Sequence, residues 1–153
     1  MERLDLQPWL FSNAVRINQH QPISHSHPII TLNTWNVDDP EMFLALFIHE
    51  QIHWHLSAHP QKERLAMQAL KAKHPEVPVG KPSGARSEYS SYMHLLACWL
   101  EFDAMRHLLG DESARRLMAR KPYYRWIYGT VLDDDEWLGD LIKRHGLMIE
   151  VKL

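Results

Sequence analysis

Apolar positions crowd nearly every turn between Met42 and Ile52, with Met42, Phe43, Leu44, Leu46, Phe47, Ile48 and Ile52 all in one stretch. That density predicts a helix buried on more than one face. Asp39 can cap its start, Pro40 suits the first helical position, and Glu41 favours the positive end of the dipole. The pattern should break near Ser57 to His59, before Pro60. Gln61 to Lys73 then reads as a helix with one charged face, and Ser87 to Leu109 as a long amphipathic helix stopped by Gly110. Glu112 to Arg120 and Pro122 to Val131 predict shorter helices. Asp133 to Glu136 is an acidic start for another helix, which runs to about His145. Strand signals are few: the β-branched run Ile29 to Trp35 and the alternating segment Leu147 to Leu153. Between His74 and Gly84, three prolines and two glycines forbid regular structure, so this segment is either a rim of a site or a passive connector. The sum is an α+β fold: one mainly helical domain with a small sheet built from Ile29–Trp35 and Leu147–Leu153.

Composition narrows the setting. The chain has 153 residues and 45% hydrophobic content, enough for one domain with a sizeable core. Seventeen basic and 19 acidic residues give a net charge of -2, so nothing supports nucleic-acid binding. The single cysteine, Cys98, excludes an internal disulfide and fits a reducing compartment. Its apolar surroundings read as those of a buried, inert thiol. The N-terminus shows no signal-peptide pattern and no apolar run is long enough to span a bilayer, so the expectation is a soluble, cytoplasmic chain. The oligomeric state is not legible.

The chemistry lies within the first helix. Phe47-Ile48-His49-Glu50-Gln51-Ile52-His53 contains His-Glu-x-x-His. Residues four apart share a helix face, so His49 and His53 can grip one ion, and Glu50 is rotated off that face. Two histidines and a glutamate on a core helix need a reason, since unpaired buried polar groups are costly. This stretch resembles the zincin metallopeptidases, in which the pattern supplies two zinc ligands and a general base. The resemblance covers the motif helix firmly and the Ser87–Leu109 helix loosely. It implies zinc as cofactor, a peptide or protein substrate, and a strand beside the cleft that holds an extended peptide. Here Ile29 to Trp35 would take that role.

A catalytic zinc normally takes three protein ligands. His59 has the spacing of the third histidine in metzincins, but Leu56 stands where that pattern has a turn glycine. The gluzincin-like alternative takes a Glu from a later helix. Glu101 and His94 are seven apart on one apolar face of the Ser87–Leu109 helix, where lone polar groups are unexpected. Glu101 is the favoured ligand and His94 a catalytic residue of the cleft; the exchange of these two roles is the close alternative. Glu88 lies at the helix start, where an acidic residue has an ordinary dipole role. His25 and His27 lie in a proline-containing loop and are either solvated or at the cleft rim.

Under this resemblance Glu50 would take a proton from a zinc-activated water and pass it to the leaving amine. Zincins often stabilise the oxyanion with a Tyr or His, and His94, Tyr124 and Tyr128 are the candidates; packing in the core is the plain alternative for the two tyrosines. A different outcome is a non-catalytic protein with a closed structural zinc site made of His49, His53, His94 and Glu101.

Overall fold

In the computed structural model, residues 3–152 are described, and the architecture is mainly helical with one small parallel sheet. Six helices follow two short strands: β1 (Val15–Ile17), β2 (Ile30–Leu32), α1 (Pro40–Ser57), α2 (Pro60–Lys73), α3 (Glu88–Leu109), α4 (Asp111–Ala119), α5 (Arg125–Asp133) and α6 (Asp135–Arg144). Among the described residues no helix is long and apolar enough to cross a membrane.

The helix starts follow from local chemistry. The Asp39 carboxylate accepts from the Met42 amide at 3.1 Å, with Pro40 first in the helix. Ser87 does the same for α3 through the Ser90 amide at 3.1 Å. Gly110 and Gly146 follow α3 and α6 at φ 86° and 68°, a left-handed geometry that glycine adopts without strain.

Helix α3 is the centre of the molecule. It is apolar nearly all round, and α1, α2, α4, α5 and α6 all pack against it. Leu95, Leu96, Phe102 and Met105 of α3 are fully buried in one core shared with Ile48, Ile52 and Leu56 of α1 and Leu138, Leu141 and Ile142 of α6. Helix α1 lies between α3 and the sheet, because its other side carries Phe43, Leu46, Phe47 and Trp54 against Ile30 and Leu32. Two-sided burial explains its lack of a polar face. The buried Gln51 fastens the N-terminal segment to α1: its Oε1 accepts from the Phe11 and Ser12 amides at 2.8 Å each, and its Nε2 donates to the Ser12 carbonyl.

Two expectations are corrected. The partner of Ile29–Trp35 in the sheet is β1, not the C-terminal segment, with Val15 aligned to Ile30 in parallel. Leu147 to Lys152 has no strand pairing; the Leu147 amide bonds the Ile142 carbonyl, and its own carbonyl accepts from His55 Nε2 at 2.7 Å. Leu153 lies outside the described residues. Nor is β2 an open edge for a peptide. β1 pairs one side, and on the other the Thr31 amide and carbonyl bond His25 at 2.8 and 3.0 Å. The exposed edge belongs to β1.

Candidate metal centre

Helix α1 presents His49 and His53 on one face, and α3 faces it with His94, Cys98 and Glu101, spaced four and seven along one stripe. One donor atom from each of His49, His53 and His94 lies within 4.8 Å of the others. The Nε2 atoms of His49 and His53 are 3.1 Å apart. Two nitrogens held about 2.0–2.1 Å from one tetrahedral ion would stand roughly 3.3 Å apart, so the spacing fits a shared cation.

The surrounding groups set the tautomers. His49 Nδ1–H donates to Glu101 Oε2 at 2.8 Å, and His94 Nδ1–H donates to the Ser90 carbonyl at 2.7 Å. Each ring thereby directs its Nε2 toward the cluster, the arrangement in which a group bonded to Nδ1 orients a metal-binding imidazole. Burial lowers the pKa of His53 to about 2 and of His94 to about 3, with the charge of His49 adding to both. These two rings are neutral and ready to coordinate. Burial also opposes charge on His49, but the adjacent Cys98 sulfur and the Glu101 carboxylate outweigh it and hold its pKa well above the usual range. A cation at Nε2 would replace that proton.

Glu101 stands behind His49 rather than beside His53. His49, His53 and Glu101, the favoured ligand set from the sequence, are not the three whose donors converge; His94 completes that group. The carboxylate is fully buried and its oxygens are committed: Oε2 accepts from His49 and from the Tyr128 hydroxyl at 2.7 Å, and Oε1 from Lys121 Nζ at 2.6 Å. Burial would raise its pKa, yet Lys121 and His49 together lower it to about 2. A second group, His49, Cys98 and Glu101, also has donors within 4.8 Å. It is the poorer site. The Glu101 oxygens it would need are already held by His49, Tyr128 and Lys121.

Glu50 is 5% exposed and makes no hydrogen bond or ion pair with any other described residue. Burial raises its pKa; His49 lowers it and Glu101 raises it further. Its charge is felt at Tyr124, whose ring lies 4.5 Å from that of His94 between centroids. Tyr124 sits at φ 51°, a left-handed conformation rare for a bulky residue and commonest at functional sites. The proline-rich segment helps hold it there. The Pro82 and Ser83 carbonyls accept from the Arg125 and Trp126 amides at 3.0 and 3.1 Å and so cap the start of α5.

Other candidates fall elsewhere. His59 donates through Nδ1 to the His55 carbonyl at 2.9 Å and is outside the cluster. The continued helix turns it away, as the missing turn glycine implies. Tyr128 is spent on Glu101 and is not free for an oxyanion. His27 stacks on Trp54 with ring centroids 4.1 Å apart and contributes to the low pKa of His53, which places it at the rim. His25 belongs to the β2 bridge. Lys121 was not legible in the sequence: it falls between the helices expected over Glu112–Arg120 and Pro122–Val131, and only the fold buries it. Comparison with family models, with characterised proteins and with solved structures finds no match for the chain.

Two outcomes follow from this network. Lys121→Met leaves the Glu101 charge buried without its cation and should cost about 3–5 kcal/mol in urea unfolding at neutral pH; a loss under about 1 kcal/mol would show that the pair is not sealed from water. The metal-free protein should also lose stability in mild acid. His53 and His94 titrate near 6.5 when unfolded but at about 2 and about 3 when folded. Their stabilisation is present above the unfolded value and is lost as pH falls toward the folded ones. His49, raised when folded, is protonated in both states below 6.5 and adds no slope there. Near pH 5 these two histidines should therefore take up close to two protons on unfolding, a slope of about 2.7 kcal/mol per pH unit from them, partly offset by Glu50, whose raised folded pKa acts in the opposite sense. A flat stability curve between pH 6.5 and 5 would contradict these assignments.

Proposed function

We propose that the chain is a zinc-dependent hydrolase of peptide bonds, of zincin-like type, in which His49, His53 and His94 hold the ion and Glu50 is the general base. One observation carries this reading. Three imidazoles from two buried helices converge, and a buried carboxylate without a protein partner lies next to them. The later helix would then contribute histidine where gluzincins use glutamate, with Glu101 orienting His49 from behind.

Bound zinc supplies a Lewis acid that polarises a carbonyl and acidifies water. Glu50 would take a proton from the attacking water and return it to the leaving amine; its raised pKa brings it closer to neutral working pH. The Tyr124 phenol, beside His94, donates to the oxyanion as charge develops. Ser90 and Glu101 keep the two rings in the tautomer that presents Nε2.

The same ligands in a closed structural centre would leave Glu50 without a purpose, since a buried carboxylate with no partner lowers stability. A fluorogenic peptide library offered to zinc-loaded protein tests the proposal. Cleavage that a chelator stops and zinc restores is expected; a fully loaded protein that cleaves no peptide would contradict it.

A further inference from the structure

A groove of about 880 Å³ opens beside the metal cluster, with His53 in its lining, and runs between α2 and the first turns of α3. Its walls are apolar. Leu56 and Tyr92 are almost fully buried, and the half-buried Met67 and Met93 complete them. One charged group in the lining is itself buried: Glu63, 8% exposed, in the first turn of α2.

The Glu63 carboxylate has one protein partner among the described residues, and its other oxygen is still open to water in the groove. Its Oε1 accepts the Tyr89 hydroxyl at 2.8 Å, and among the described residues it has no other side-chain hydrogen bond and no ion pair. Burial raises its pKa, against the Tyr89 hydrogen bond, as befits a carboxylate without a cation of its own. The helix dipole explains an acidic residue in this turn but not its burial in a groove, because Gln61 and Lys62 in the same turn are exposed. The other charges along the groove do not neutralise it. Lys71 is paired to Glu88 at 2.6 Å, and Arg64 extends into solvent at the rim, where water and salt screen it.

An apolar channel with one buried carboxylate complements a particular kind of side chain: an aliphatic stem with a cationic head. A purely apolar occupant would seal Glu63 with its remaining acceptor positions empty, and an anion would be repelled. We propose that this groove is the subsite for a lysine or arginine side chain of the substrate, with Glu63 binding the cationic head and Leu56, Met67, Tyr92 and Met93 packing on the stem. The inference rests on the hydrolase reading for the word substrate, but its test reads binding and does not depend on turnover.

The test uses the zinc-loaded full chain with ¹³C-methyl-labelled methionine. Met67 and Met93 report on the groove, while the buried Met105 and Met118 serve as controls. The probes are Nα-acetyl-arginine methylamide and its neutral counterpart, Nα-acetyl-norleucine methylamide. The arginine compound should shift the Met67 and Met93 signals and bind at least about tenfold more tightly than norleucine, as expected for a hydrogen bond between charged groups. Glu63→Gln keeps an acceptor for Tyr89, so the fold should hold, and it should abolish the preference while leaving norleucine binding unchanged. Equal or tighter norleucine binding, a preference that survives Glu63→Gln, or no shift of Met67 and Met93 with either probe would overturn the proposal. Arginine binding at Glu63 in a protein that cleaves no peptide would support the cationic subsite and remove only the hydrolase reading.

Discussion

Glu50→Gln is expected to lower metal-dependent peptide hydrolysis by about 10²–10⁴-fold, the usual worth of a positioned general base. Zinc content and fold should be unchanged. Gln matches Glu in shape, and Glu50 makes no internal hydrogen bond or ion pair that the change would break. Removing a buried charge without a partner should leave unfolding stability equal or slightly higher. That combination separates a base from a ligand or a structural residue, either of which would lose metal or stability together with activity. Turnover that survives Glu50→Gln would refute the mechanism.

The second large effect divides the two residues of α3. His94→Ala should weaken zinc binding by well over 100-fold, because a direct donor is lost. Glu101→Gln should weaken it only about 10–100-fold, the range for a partner behind a ligand. The two variants should also differ in stability. Glu101→Gln strands Lys121, which is 4% exposed and bonded to that carboxylate at 2.6 Å, and should destabilise the fold by about 3–5 kcal/mol. His94→Ala leaves no such charge behind. Cys98→Ser should leave zinc affinity nearly unchanged. Competitive titration with a chromophoric chelator measures all three. If Glu101→Gln costs more affinity than His94→Ala, the ion sits deeper, against Cys98 and Glu101.

The helices were legible because their signals are local. Asp39 and Pro40 mark the start of α1, Ser87 and Gly110 bracket α3, and the period of the apolar residues does the rest. The facing of α1 and α3 was also within reach, since polar groups on two apolar stripes point to a shared cleft. Sheet pairing was not. β1 is three exposed residues, too short for its Val-Arg-Ile pattern to stand out as a strand, and nothing local marks its parallel pairing with β2. The C-terminal segment alternates like a strand, yet its backbone is engaged by α6 and His55. At the site, sequence placed His94 and Glu101 on one face but could not assign their roles. That depends on Lys121 and Tyr128, which arrive from after α4 and from α5 and occupy the carboxylate. No spacing rule links residues that far apart. The same holds for Glu63, whose acidic character suits any helix start and whose meaning comes from the groove it faces.

The most direct test of the metal centre is X-ray absorption at the zinc edge on the stoichiometrically loaded, full-length protein. The account predicts three imidazole nitrogens and light oxygen neighbours at about 2.0–2.1 Å, with no sulfur neighbour, and loss of one imidazole contribution in His94→Ala. A sulfur neighbour at about 2.3 Å would move the ion to Cys98 and contradict the site, as would a purified chain that takes up no stoichiometric zinc.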